Sequence, residues 1–243
     1  MRGCAPLRRV YFLSATALAV VAGFWPAGPA GGATSTVART QELAVFVRGQ
    51  TAMSKPDSRS ARKVWVERKR PITEGRTVLP VIGHRTDRGG TRWLQVRLPG
   101  RPNNSTGWIR KARTTRSRTA WHVVVDLSER RVLVYRAGRL VRSFTGVIGT
   151  AATPTPKGKY FVEETVLLTS SHVGGPYALA LSARSYVLQE FAGGPGQIAV
   201  HGVWNVGGRM GTAASHGCVR LDTGSISWIG ERIGPGVPVT IRA

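Results

Sequence analysis

Apolar positions in this chain come in short runs, set between breaks rich in Gly, Pro, Asn and Ser. That spacing predicts strands rather than helices. In the first half, residues 43–47, 64–66, 77–82, 92–98 and 106–110 read as strands, with turn-rich breaks at 83–90 and 99–105. A handful of short strands of this kind suits a small barrel. From Trp121 the pattern strengthens. Residues 121–127 and 132–136 form a hairpin around a turn at 128–131, and 140–148 follows Gly138. Residues 149–158, with Pro154 and Pro156, read as a loop. Residues 159–168, 178–181 and 197–200 are further strands, and 237–241 closes the chain as another. One helix is predicted, over 224–233. Asp222 or Thr223 caps its start, Ile226, Ile229 and Ile233 share a face, and Gly234-Pro235 stops it. The expected fold class is mostly β: a small barrel, then a β-rich domain with one late helix.

Charge divides the chain differently. The 243 residues hold 35 Lys and Arg against 12 Asp and Glu, a net charge of +23. Residues 34–120 carry 20 basic and 5 acidic side chains, whereas residues 121–243 carry 12 and 7. The excess therefore sits in the first half and points to an anionic partner there. Arg2, Arg8 and Arg9 precede an uncharged stretch over 10–25, followed by Pro26, Gly28, Pro29, Gly31 and Gly32. A basic start, an apolar stretch and a small-residue exit describe an export signal cleaved after Ala30 or Ala33, with an uncleaved N-terminal anchor as the alternative. The apolar stretch is shorter than a membrane span, and no second long run exists, which excludes a polytopic membrane protein. The expected organisation is a signal peptide or anchor (1–33), a basic polar segment (34–62), a small β domain (63–113), a polar linker (114–120) and a larger β-rich domain (121–243). The last four are expected to work outside the cytoplasm.

Cys4 lies in the export segment, so Cys218 is the one cysteine left after cleavage. It stands in Ser215-His216-Gly217-Cys218-Val219-Arg220, and His201 closes the strand before a glycine-rich loop containing Gly202, Gly207, Gly208 and Gly211. That loop can return the chain so that His201 meets Cys218. An imidazole taking the thiol proton leaves a nucleophilic thiolate, and a tight turn at Gly217 can aim N–H groups at an oxyanion. Three readings stay open on residue chemistry alone: a nucleophile for acyl transfer, an inert core thiol, and a zinc site, which lacks the usual fourth ligand.

Two resemblances sharpen this. Arg92-Trp93-Leu94-Gln95-Val96-Arg97-Leu98-Pro99 with Gly107-Trp108-Ile109 resembles bacterial SH3-like domains joined to cell-wall enzymes. His201 with Ser215-His216-Gly217-Cys218-Val219-Arg220, the loop Thr153-Pro154-Thr155-Pro156-Lys157-Gly158 and the opening Val124-Val125-Asp126 resemble the L,D-transpeptidase catalytic domain, YkuD, over about residues 121–242. That resemblance implies Cys218 as nucleophile, His201 as base and later acid, and His216 lining the site. It implies an oxyanion hole from the N–H groups of Gly217 and Cys218. It also implies substrate-binding positions at Ser215 and Arg220, with Tyr177 and Trp204 as candidate walls. The implied partners are peptidoglycan stem peptides, with carbapenem-type β-lactams as covalent inhibitors and no metal or other cofactor. Tethering to anionic wall or membrane falls to the basic first half. No nucleic-acid motif accompanies the charge, so nucleic acid is not expected as a partner. L,D-carboxypeptidase, protein-to-wall anchoring and a non-catalytic wall binder are the alternatives.

Overall fold

The computed structural model describes residues 37–190 and 194–243; the expected export segment lies outside them. The first half contributes β1 (Gln41–Phe46), β2 (Gln50–Met53), β3 (Arg62–Val66), β4 (Val78–Thr86), β5 (Arg92–Arg97), β6 (Thr106–Arg110) and β7 (Thr114–Thr119). They form one sheet in the order β3-β2-β6-β5-β4-β1-β7. The apolar pattern anticipates β1, β3, β4, β5 and β6 but not β2 and β7. β2 is Gln-Thr-Ala-Met, whose buried residues include Ala52 and Met53, so its period is masked by polar and small residues. β7 occupies the stretch expected to be a linker. Its six residues carry no apolar side chain, and it is held by backbone pairing to β1 from Gln41↔Thr119 to Phe46↔Thr114. Such a strand leaves no hydrophobic signature, and its Arg116 and Arg118 mark a charged sheet edge.

The second half contributes β8 (Trp121–Asp126), β9 (Arg131–Arg136), β10 (Arg139–Thr145), β11 (Ile148–Gly149), β12 (Gly158–Leu167), β13 (Tyr177–Arg184), β14 (Gln197–His201), β15 (Ala213–Ser215), β16 (Val219–Arg220), the helix α1 (Thr223–Gly230) and β17 (Pro238–Arg242). An eight-stranded sheet runs β10-β9-β8-β17-β12-β13-β14-β16, and β11 pairs with β15 separately. The fold is mostly β with one α-helix among the described residues. Helix α1 begins where its cap predicts: the Asp222 carboxylate accepts from the Ser225 N–H at 2.9 Å. Ile226 and Ile229 are buried in the main core with Ile233, just past the helix end. Most of that core comes from alternate positions of β8, β9, β12, β13, β14 and β17.

The two halves share side chains. Phe161 of β12 is buried in the apolar cluster of the first sheet, with Phe46, Leu79 and Val96. Its neighbours Glu163 and Glu164 are buried carboxylates. Glu163 pairs with Arg70 and with Arg184 at 3.0 Å. Glu164 accepts from the Thr73 N–H at 2.8 Å and from its hydroxyl at 2.9 Å. Buried charges persist only when paired and hydrogen-bonded, so this cluster ties the β3–β4 connection to β12 and β13. That places the first sheet against the strands that lead to the site.

Candidate functional site

Two backbone pairings bring the sequence-predicted residues together. β14 and β16 run parallel, with Val200 opposite Val219 and His201 opposite Arg220. On its other side, Arg220 exchanges two backbone hydrogen bonds with Val147, each 2.9 Å. β16 is thus clamped from both sides, and Cys218 stands immediately before its first residue. The glycine-rich loop does what its composition suggests: it returns the chain so that His201 and Cys218 face one cavity of about 310 Å³. His216 and Arg220 line the same cavity, whose remaining wall is largely aliphatic.

The turn that presents Cys218 is held from below. Gly217 has φ +116°, a region closed to ordinary side chains, and this is the one glycine the turn itself demands. The Ser215 hydroxyl donates to the Cys218 carbonyl at 2.5 Å, and its oxygen accepts from the Gly217 N–H at 3.1 Å. Two expectations change here. Ser215 is only 1% exposed, and its hydroxyl is committed to holding the turn. The Gly217 N–H, expected to face an oxyanion, is already engaged with Ser215. Tyr177 and Trp204 do not line the cavity. Tyr177 packs against the main core and under Gly230 of α1, and Trp204 covers Gly175.

Some contributors escaped the sequence reading. The buried Thr155 donates its hydroxyl to the Gly217 carbonyl at 2.8 Å and accepts from the Gly149 N–H at 3.0 Å. The Thr153 hydroxyl donates to the Ser215 carbonyl at 3.2 Å. The Thr-Pro-Thr-Pro run is therefore a buttress under the cysteine turn; the sequence marked this loop by its resemblance but not by this role. The other is a main-chain atom: the Gly202 carbonyl stands 2.7 Å from His201 Nδ1. A carbonyl only accepts, so Nδ1 carries the proton and Nε2 is left as the basic nitrogen. No side-chain pattern reports such a partner.

Electrostatics set the resting state. Burial pushes the Cys218 thiol up, against smaller opposing effects of the Ala199 N–H, which donates to Sγ at 3.4 Å, and of the Arg220 charge. Burial also pushes His201 down, the Gly202 carbonyl opposes that, and Arg220 adds to the lowering. Thiol and imidazole therefore rest neutral together, and the proton moves only when a reaction calls for it. Arg220 has a buried Nε without a hydrogen-bond partner, and its Nη1 lies 3.4 Å from the Gly207 carbonyl. A guanidinium so placed can take up an anionic group. Among the described residues, no three His, Cys, Asp or Glu side chains gather at metal-ligand range.

The family model of the L,D-transpeptidase catalytic domain, YkuD, matches residues 120–241. A Bacillus licheniformis protein carrying the provisional name L,D-transpeptidase YkuD is 26% identical over 124 residues, 50% of this chain and 65% of that protein. The chain thus spans just under two thirds of that relative. Among solved structures, an L,D-transpeptidase from Mycobacterium smegmatis aligns over 63% of this chain and 90% of its own, at 17% identity and a TM-score of 0.38. One from Mycobacterium tuberculosis aligns over 69% and 90%, at 17% identity and a TM-score of 0.42.

Proposed function

The chain belongs to the L,D-transpeptidase catalytic-domain family, YkuD, and from that premise we propose that it is an exported cysteine acyltransferase that forms 3→3 cross-links between peptidoglycan stem peptides. The observation that carries the reading is the His201 ring, whose Nδ1–H is held by the Gly202 carbonyl and which shares one cavity with Cys218. This leaves a neutral Nε2 to accept the thiol proton as Sγ attacks.

Sγ adds to the carbonyl of the third stem residue, an L-centred diamino acid. The carbonyl π pair moves to oxygen, and the oxyanion takes a hydrogen bond from the Cys218 N–H, which follows the engaged Gly217 N–H in the turn. Collapse breaks the amide bond to the terminal D-Ala, whose nitrogen leaves with the proton from His201. A thioester remains on Cys218. The side-chain amine of a second stem then attacks it, gives its proton to His201, and expels the thiolate, which is reprotonated. Water in place of that amine makes the enzyme an L,D-carboxypeptidase. Arg220 receives the stem carboxylate, and His216 lines the donor site beside it. The basic first half tethers the enzyme to anionic wall or membrane.

Incubation with a disaccharide-tetrapeptide and mass measurement of the products tests this directly. A cross-linked dimer is expected from the wild type, and none from Cys218→Ala. A tripeptide alone assigns the carboxypeptidase. Full activity in Cys218→Ala sinks the mechanism. A carbapenem should add its mass to Cys218 in the wild type; no adduct, together with no turnover, would leave a wall-binding protein without catalysis.

A further inference from the structure

The connection between β5 and β6 leaves the first sheet and grips the second half. Arg101 Nη1 donates to the Pro195 carbonyl at 2.8 Å, and its Nη2 donates to the carbonyls of Ser185 at 2.9 Å and Leu188 at 3.1 Å. Beside it, Asn103 pairs with both backbone groups of Arg184, at 2.7 and 2.8 Å. Asn104 accepts from the Lys159 N–H at 2.7 Å.

The gripped segment matters because of where it lies. The β13–β14 ladder has its last pair at Arg184↔Gln197. Past it, Ser185 still donates to the Gly196 carbonyl at 2.8 Å, and the Ser185 hydroxyl accepts from the Leu188 N–H at 3.0 Å. Ser185, Leu188, Gly196 and Gln197 form one wall of the cavity that holds Cys218 and His201. Backbone beyond a ladder opens easily unless something orders it. A guanidinium suits that task, because its planar fork can meet several carbonyls at once, whereas a lysine ammonium is a single point.

We infer that Arg101 is a positioning residue for the substrate wall: the first half of the chain shapes the groove that receives the acyl-donor peptide. The inference rests on the reading of this cavity as the stem-peptide site. Its effect falls on binding and spares the thiol chemistry. β14, which carries His201 and the Ala199 N–H that meets Sγ, is paired on both sides, by β13 and by β16, and does not depend on Arg101.

The test uses the full chain with Arg101→Ala and Arg101→Lys. In Arg101→Ala, amide exchange at residues 185–190 and 194–197 should quicken about tenfold, while β16 stays protected. KM for the disaccharide-tetrapeptide should rise about tenfold with kcat within about threefold, since misplaced walls cost binding. Alkylation of Cys218 by iodoacetamide should keep its rate, and Arg101→Lys should restore KM only in part. Unchanged exchange at the wall overturns the inference. So does faster exchange with an unchanged KM, or a joint fall of kcat, alkylation rate and melting temperature, which marks a plain structural staple. If the wild type turns over no stem peptide, the functional reading fails, and the exchange and alkylation comparisons still decide whether Arg101 orders the wall.

Discussion

Arg220 is the residue through which charge reaches both Cys218 and His201. Its guanidinium adds to the lowering that burial imposes on His201 and opposes the raising that burial imposes on Cys218. The proposed mechanism needs neutral His201, so kcat/KM should fall on the acid side with a midpoint below the ordinary histidine value of about 6.5. Arg220→Ala removes one positive charge, so both pKa values should rise and the acid limb should move toward neutral pH. A pH profile of kcat/KM for the two proteins reads this, and a limb that stays put or moves to lower pH contradicts it. The gathering of Cys218, His201 and His216 at one cavity was legible in the sequence because a lone thiol and its histidines announce themselves by residue type. Their supports were not. The Gly202 carbonyl is common to all residues, Thr155 acts through a hydroxyl turned inward, and the Gly217 N–H is diverted by Ser215, which the motif contains but does not orient.

At the scale of elements, backbone approach sets the histidine in place. The connection between β12 and β13 brings Gly174 so near His201 that a Cβ there would stand 2.5 Å from Nδ1. Gly174 also has φ +84°, and its carbonyl accepts from the Gly202 N–H at 2.7 Å. Gly174→Ala should therefore turn the ring away from its Gly202 partner. We expect kcat/KM to fall about a hundredfold from misplacement, with about 1–2 kcal/mol of stability lost to the left-handed backbone. Kinetics and a urea titration on the same sample measure both, and an active, destabilised variant would show that the ring does not need this packing. Legibility at this scale follows burial. Strands whose alternate residues enter a core, such as β8, β9 and β17, carry an apolar rhythm, and α1 carries a cap and an isoleucine stripe. β7 carries neither, since pairing to β1 is a property of its backbone, and a polar run reads as a connector whether or not it joins a sheet.

For the whole molecule, two properties answer to conditions outside the site. Burial and then the nearby Lys159 charge push His122 down to about 4, while its Nε2 stands 2.9 Å from the Thr240 hydroxyl. Between about pH 4 and 6.5 the unfolded chain binds a proton that the folded one refuses, so stability is full above that window and declines as pH falls through it. His201, lowered as well, contributes with the same sign. His122→Gln should narrow the difference in urea midpoint between pH 7 and pH 5, and an undiminished difference would assign the acid sensitivity elsewhere. The other property is the uneven charge. Residues 34–120 hold 20 basic against 5 acidic side chains, while residues 121–243 hold 12 against 7. Attraction of exposed cations to a polyanion is screened within about 10 Å at 0.1 M salt and about 3 Å at 1 M. The proposed reaction at Cys218 depends instead on groups lining one cavity, where salt penetrates little. Retention on purified wall should therefore drop steeply between these salt concentrations, while turnover of a small soluble stem peptide changes little. Reversing Arg116 and Arg118 on the exposed edge strand to Glu should reduce retention at low salt and leave that turnover intact. Equal loss of retention and turnover with salt would mean that the charge serves the substrate itself, and the division of labour between the two halves would fall.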